Sequence, residues 1–391
     1  MIMKKQYTLW IALLLLGSSS MAQKATFKAE VIDSKIDIGY GLAIGDVDGD
    51  GKEDILMADQ KEIVWYRNPA GSNSSWVRHV IARNLTERDN VCIAARDIDG
   101  DGKVEVAVGA QWNPGETKDL KQSGAVFYLI PPDDRTQLWE PVRLHHEVTI
   151  HRMHWVQKSD GGYQLVVLPL HGEGNANGEG TPVQMISYDV PENRKGLWPY
   201  QLLDTKMHMT HNFHPLEVKN NFLGLVIGGK QGAQVFLNGA EGWAPSGTWM
   251  VSNYGVGEIR TGTLGNGQLM TATVEPMHGT SLVVYTKDKR TVLNDKMKQA
   301  HAIVCADFLG QGRDQIAVGW REPNDKKQMG VRLYVGTNSD GTQWQEYALD
   351  EKVDMACEDL RAADLDGDGD LDLVAAGRST RNVIIYWNQR K

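Results

Sequence analysis

Short apolar runs recur along the whole chain, with Gly, Asn and Asp between them. GYGLAIGDV, EDILMAD, EIVWYRN and WVRHVIA form a first set between residues 39 and 82. NVCIAARDI, KVEVAVGA, GAVFYLI and WEPVRLH form a second between 90 and 145. Runs of about five to eight residues bounded by turn formers predict β-strands. The sets also repeat. Asp46 to Asp97 spans 51 residues and Asp307 to Asp364 spans 57, a period that marks a solenoid or a propeller. DFLGQGRDQ from Asp307 and GTLGNGQLM at 262–270 are decayed copies of the same turn, and units near 154–168 and 211–227 keep only the strand pattern. Seven units of four strands predict an all-β fold, a seven-bladed β-propeller of four-stranded blades. TFKAEVID at 26–33 reads as a fourth strand and NVIIYWNQ at 382–389 as a third. The N-terminal strand is therefore expected to complete the last blade and close the ring. Length alone would favour several domains, but each repeat needs its neighbours to bury its faces, so residues 23–391 are expected to form one domain.

The turns between first and second strands carry the clearest chemistry. DVDGDGKED places Asp46, Asp48, Asp50 and Asp54 at alternate or near-alternate positions of a tight loop. DIDGDGKVE repeats this with Asp97, Asp99, Asp101 and Glu105, and DLDGDGDLD with Asp364, Asp366, Asp368 and Asp372. Such oxygen-rich loops suit calcium, a hard cation that takes six to eight oxygens. Without a cation, four carboxylates crowded on one turn repel one another. An EF-hand opens the same way but ends in a Glu at position twelve and lies between helices, whereas these flanks are β-like. Structural calcium is the expectation.

Residues 1–22 read as an export signal. Lys4 and Lys5 precede the apolar TLWIALLLLG, and Ser20-Met21-Ala22 offers a cleavage site. A periplasmic or secreted location follows, with no lipid anchor and no membrane span expected. The formal charge is −9, and −11 once Lys4 and Lys5 are removed. No basic cluster is present, which argues against nucleic acid as a partner. Cys92, Cys305 and Cys357 are odd in number, widely spaced and set in apolar strands, so buried free thiols are expected.

Topology then decides which residues meet. In a propeller blade the first strand lines the central channel. If the acid loops join strands one and two at one end, strand one starts and strand two ends at the opposite mouth. That mouth collects His151 and His171 from the third unit, His211 and Lys230 from the fourth, Glu258, Arg260, Glu275 and His278 from the fifth, His301 and Arg321 from the sixth, and Glu358 from the seventh. Ten of the eleven histidines fall between residues 145 and 301, in units that have largely lost the acid loop. A single histidine near a strand end is ordinarily structural; five from four units point to a functional pocket. His145, His146 and His208 are placed outside it.

The acid loops resemble those of FG-GAP or VCBS-type repeats, which are general and say little about activity. A narrower resemblance covers most of the mature chain. His151 to Trp155, PLHG at 169–172, THN at 210–212, GEI at 257–259, EPMHG at 275–279, HAIVCAD at 301–307 and GWR at 319–321 resemble the propeller domain of aldos-2-ulose dehydratases and related bacterial 3-keto-glycoside lyases. The resemblance implies β-elimination on a keto sugar of the 3-keto-glycoside or anhydrofructose type, assisted by a divalent metal in the propeller. The longer dehydratases also carry cupin domains, which are absent from this sequence, so their isomerase step is not expected. Removing the proton beside a ketone needs a base, which histidine supplies, and positive charge at the enolate oxygen. His151, His171, His211, His278, His301 and Arg321 are the expected catalytic residues, and Glu173, Lys230, Arg260 and Glu358 the expected substrate contacts. His151, His211, Glu258, Glu275, His278 and His301 are the candidate ligands of a transition metal such as zinc. Two other readings stay open: a propeller-type polysaccharide lyase on uronic acids, using Tyr40 and Arg260, and a non-catalytic calcium-bound binding module.

Overall fold

The computed structural model describes residues 25–69, 75–158, 160–218, 221–239, 242–287, 289–350 and 352–390. The segment read as an export signal lies outside these. Among the described residues there are twenty-eight strands and no helices. They form seven four-stranded antiparallel sheets, six of which use consecutive strands. The first strands pack against one another around the ring and so form its inner wall: Gly41–Gly45, Cys92–Arg96, Ile150–Gln157, Thr210–Val218, Ile259–Thr263, Ala300–Ala306 and Cys357–Ala363. The seventh sheet is mixed in origin. Its outer strand is Phe27–Asp33, which pairs antiparallel with Val383–Asn388, Phe27 opposite Asn388 and Lys28 opposite Trp387. The N-terminal strand thus closes the ring, as the strand pattern predicts.

The near-continuous apolar character of the middle strands has a simple cause: both faces of each sheet are buried between blades. Leu56, Ile63 and Trp65 leave one face of the first blade and meet Ile93, Val106, Val108 and Phe127 of the second. Their strand neighbours Ile55, Met57, Val64 and Tyr66 point the other way, onto Val374 and Ile385 of the seventh. Side chains alternate between faces along a strand, so two apolar faces require an unbroken apolar run. Outer strands face solvent and are more polar; Tyr200–Asp204 has no fully buried residue. Close packing near the channel excludes side chains at particular points. A Cβ on Gly319 would lie 2.2 Å from the Cys357 Sγ of the next blade. All three cysteines are free thiols, with Cys92 and Cys357 buried.

Candidate active site

A repeated backbone irregularity builds the mouth. In the third blade Ile150 faces Pro169 and Arg152 faces Leu168, which leaves His151 as an extra residue on the inner strand. The fourth, sixth and seventh blades do the same, and the extra residues are His211, His301 and Glu358. In the fifth, Gly257 and Glu258 both bond to Val274, which puts Glu258 at the equivalent place. A bulge of this kind re-aims one side chain out of the strand's alternation, and bulges favour barrel rims for that reason. Five blades therefore present a His or Glu at one level.

These residues hold one another. His151 Nδ1 lies 2.7 Å from the His211 carbonyl oxygen, and His301 Nδ1 lies 2.7 Å from that of Glu358. His211 Nδ1 lies 3.1 Å from the Gly257 carbonyl and 3.3 Å from Glu258 Oε1. Donating Nδ1–H to a carbonyl fixes the tautomer and leaves Nε2 with its lone pair. His278 joins from the turn after the second strand of the fifth blade, with φ of +49°. Its Nε2 is 2.7 Å from His211 Nε2. Ring nitrogens of His211, His278 and His301 all lie within 4.8 Å of one another.

The electrostatics favour neutral imidazoles. Burial lowers the pKa of His211, partly opposed by Glu258. Burial, then His211, brings His278 down to about 2. Burial, then Arg321, holds His301 well below the usual range. Metal ligands must be unprotonated, and burial favours the neutral form of all three rings; the 2.7 Å contact puts the His278 proton on Nε2, from which ligation would move it to Nδ1. Zinc–nitrogen bonds of 2.0–2.1 Å in a tetrahedral set separate ligand nitrogens by about 3.3 Å, so the His211–His278 pair needs to open only slightly. Three imidazoles with two Nδ1–H groups tied to carbonyls fit a transition metal of the zinc type and are a poor match for calcium.

Glu358 stands beside His301, its Oε1 4.0 Å from His301 Nε2. It is buried and bonded by Arg321 at 2.6 Å and Arg378 at 3.0 Å. Arg321 also donates to Gln299 Oε1 at 3.0 Å, and the Arg378 guanidinium lies 5.3 Å from the Tyr40 ring centroid. The remaining candidates are not gathered so closely. Both nitrogens of His151 are engaged, Nε2 by Arg152 at 3.0 Å, and Trp112 stacks on the ring at 5.1 Å, so His151 stands outside the metal-sized group. His171 is half-buried, with its Nδ1 buried and without a partner. Glu173 is exposed, and Lys230 pairs with Glu179 at 2.6 Å on the rim. Glu258 lies behind His211 rather than among the ring nitrogens, and Arg260 lies beside it at 3.7 Å. Glu275 turns away altogether: its carboxylate accepts from Thr273, Tyr285 and Arg290. Tyr40 donates to Asp89 at 2.9 Å, and burial, then Asp89, raises its pKa, which makes it a poor base. Trp112, Arg152 and Arg378 were not assigned from sequence. Trp112 and Arg378 follow the second strands of their blades, where Arg321 also lies, and that rule would have found them.

At the other end of the ring the acid loops curl as expected. Asp46 accepts from the amides of Gly49 and Gly51, both at positive φ. Asp97 and Asp364 repeat the pattern with Gly100 and Gly102, and with Gly367 and Gly369. Carboxylates within 4.8 Å of one another are Asp46, Asp48 and Asp50; Asp97, Asp99 and Asp101; and Asp364, Asp366 and Asp372. These sets fit a hard cation. Asp54, Glu105 and Asp368 stand outside them. Asp54 accepts from the amides of Val47 and Asn68, and Glu105 from that of Ile98, so they tie the loops to the blades.

FG-GAP-like repeats match at residues 46–108 and 307–375. The chain is 23% identical over 338 residues to aldos-2-ulose dehydratase of Phanerodontia chrysosporium, a match covering 76% of this chain and 36% of that protein. Integrin alpha-PS2 of Drosophila melanogaster is 25% identical over 173 residues, covering 40% of this chain and 11% of the integrin. The chain thus spans about a third of the first relative and about a tenth of the second. Among solved structures, a chain from BBS1N in complex with ARL6DN superposes with a TM-score of 0.56 at 11% identity, covering 93% of this chain and 96% of that one, which speaks for the fold alone.

Proposed function

We propose that this β-propeller with FG-GAP-like repeats is a carbon–oxygen lyase that eliminates a hydroxide or alkoxide from a keto sugar, of the 3-keto-glycoside or anhydrofructose type. The observation that carries the reading is the convergence of His211, His278 and His301 from three blades on one point at the mouth. Similarity to a sugar dehydratase across most of the chain supports the same class. These three histidines would hold a divalent transition metal, which when bound supplies positive charge to the enolate oxygen. Arg321 and Arg378 keep Glu358 in place as an acceptor for a sugar hydroxyl. Of the five mouth histidines, His151 and His171 stand outside the metal-sized group, and both ring nitrogens of His151 are engaged, so we assign the proton beside the ketone to His171 at Nε2, its Nδ1 being buried. The C–H bond breaks toward that base, a C=C bond forms, and the β C–O bond releases its oxygen with the electron pair. No net oxidation occurs. The acid loops on the opposite face we assign to structural calcium.

The test is to incubate the purified protein with 3-keto-glucosides and with anhydrofructose and follow ultraviolet absorbance. An absorbing enone product is expected, lost in His211→Ala, His278→Ala and His301→Ala at wild-type melting temperature. Full turnover in all three variants removes this pocket from the reaction. Silence on every sugar, with calcium as the only bound metal, favours the binding-module reading.

A further inference from the structure

We propose that Glu258 is a positioning residue for His211 and not itself a metal ligand; the inference rests on the metal reading of the three histidines. Glu258 and His211 side chains are each only 1% exposed. Glu258 Oε1 lies 3.3 Å from His211 Nδ1, on the side of the ring opposite the Nε2 that meets His278. Its Oε2 accepts from Asn212 Nδ2 at 2.5 Å, with Arg260 NH1 at 3.7 Å. A carboxylate tethered in this way cannot reach around the imidazole to the point where the three ring nitrogens converge.

The decisive feature is an oxygen without a full partner. Glu258 Oε1 is buried and makes no proper hydrogen bond. The His211 Nδ1–H lies 3.3 Å from it but is directed mainly at the Gly257 carbonyl, 3.1 Å away. Leaving a buried carboxylate oxygen unpaired is unfavourable. A cation on Nε2 makes the Nδ1–H a stronger donor, and a small ring rotation lets it serve Oε1. Ligation at one nitrogen and the carboxylate bond at the other then reinforce each other, the arrangement in which an outer carboxylate orients a metal-bound histidine. His301 lacks this: its Nδ1 donates to a carbonyl, and Glu358 Oε1 is 4.0 Å from its other nitrogen, Nε2. His211 is thus the ligand whose orientation depends on a charge.

Zinc affinity of the calcium-loaded protein, measured by competition with a chromogenic chelator, tests this in Glu258→Gln. We expect binding about 10- to 100-fold weaker than wild type, the range for outer-carboxylate changes. Cobalt(II) substituted for zinc should give the same absorption bands in both proteins, because the ligand set is unchanged. Equal zinc affinity overturns the proposal, and so do shifted cobalt bands, which would make Glu258 a ligand. If Glu258→Gln fails to fold, Glu258→Asp, which withdraws the carboxylate from the ring, is expected to weaken zinc in the same direction with the same cobalt bands. Wild-type protein that takes up neither metal overturns the underlying metal reading instead, so the two failures are distinguishable.

Discussion

Replacing Glu275 separates a structural carboxylate from a catalytic one. The sequence puts Glu275 three residues before His278, in the stretch that resembles keto-sugar enzymes, yet its oxygens accept from Thr273 at 2.8 Å, Tyr285 at 2.6 Å and Arg290 at 2.5 Å. Glu275→Ala strips all three donors of their acceptor. Breaking a buried pair costs about 3–5 kcal/mol, and the Arg290 side chain is 29% exposed, so water softens the loss toward about 3 kcal/mol. Glu275→Gln keeps an acceptor and loses only the charge, for about 1–1.5 kcal/mol. An unfolding entropy of about 2.1 cal/mol/K per residue gives about 0.8 kcal/mol per degree for a chain of this size. The melting temperature should therefore fall by about 4 °C for Ala and about 2 °C for Gln. Calorimetry measures the shift, and zinc affinity and turnover per folded molecule should stay within about twofold of wild type. A variant that melts like wild type but has lost zinc or turnover refutes the assignment and returns Glu275 to the site.

Other consequences are open to measurement. Asp366→Ala should lower the melting temperature in saturating calcium, since a cation at a hundred times its Kd contributes about 2.7 kcal/mol; equal melting with and without calcium counts against the loops as cation sites. His154 is held neutral by burial, then by Arg361, with its pKa lowered from 6.5 to about 3. Between those values the unfolded chain binds the proton and the folded chain does not, so stability falls as pH drops from 6.5 toward 3. His154→Gln should flatten urea-derived stability against pH in that window by up to about 1.4 kcal/mol per unit, and an unchanged slope refutes the buried neutral ring. His171→Asn should lose turnover and retain zinc; loss of both would place His171 among the ligands.

The fold was legible because it is written several times. Each blade repeats the apolar runs, and the first and last strands betray their places in a shared sheet. Acid loops were equally plain, since Asp46, Asp97 and Asp364 each begin the same turn. The mouth was only partly readable. Topology brings His211, His278 and His301 to one end, but the bulge that turns His211 and His301 inward depends on pairing register, which no single strand specifies. Glu258 and Glu275 look alike as acids near strand ends. What parts them is which face of the sheet each occupies and whether a partner such as Arg290 waits there. His151 was expected among the ligands because it opens an inner strand at the mouth, and nothing in the sequence showed that Arg152 would fold back onto its ring.

Product mass separates elimination from hydrolysis. A 3-keto-glucoside is incubated with zinc- and calcium-loaded protein, and the sugar product is weighed by mass spectrometry after single turnover. Elimination releases the aglycone and leaves an unsaturated keto sugar, lighter by one water than the hydrolysis product. That lighter species is expected, and it is absent in His278→Ala. Formation of the hydrated 3-keto sugar as the first product, with no unsaturated species before it, contradicts elimination.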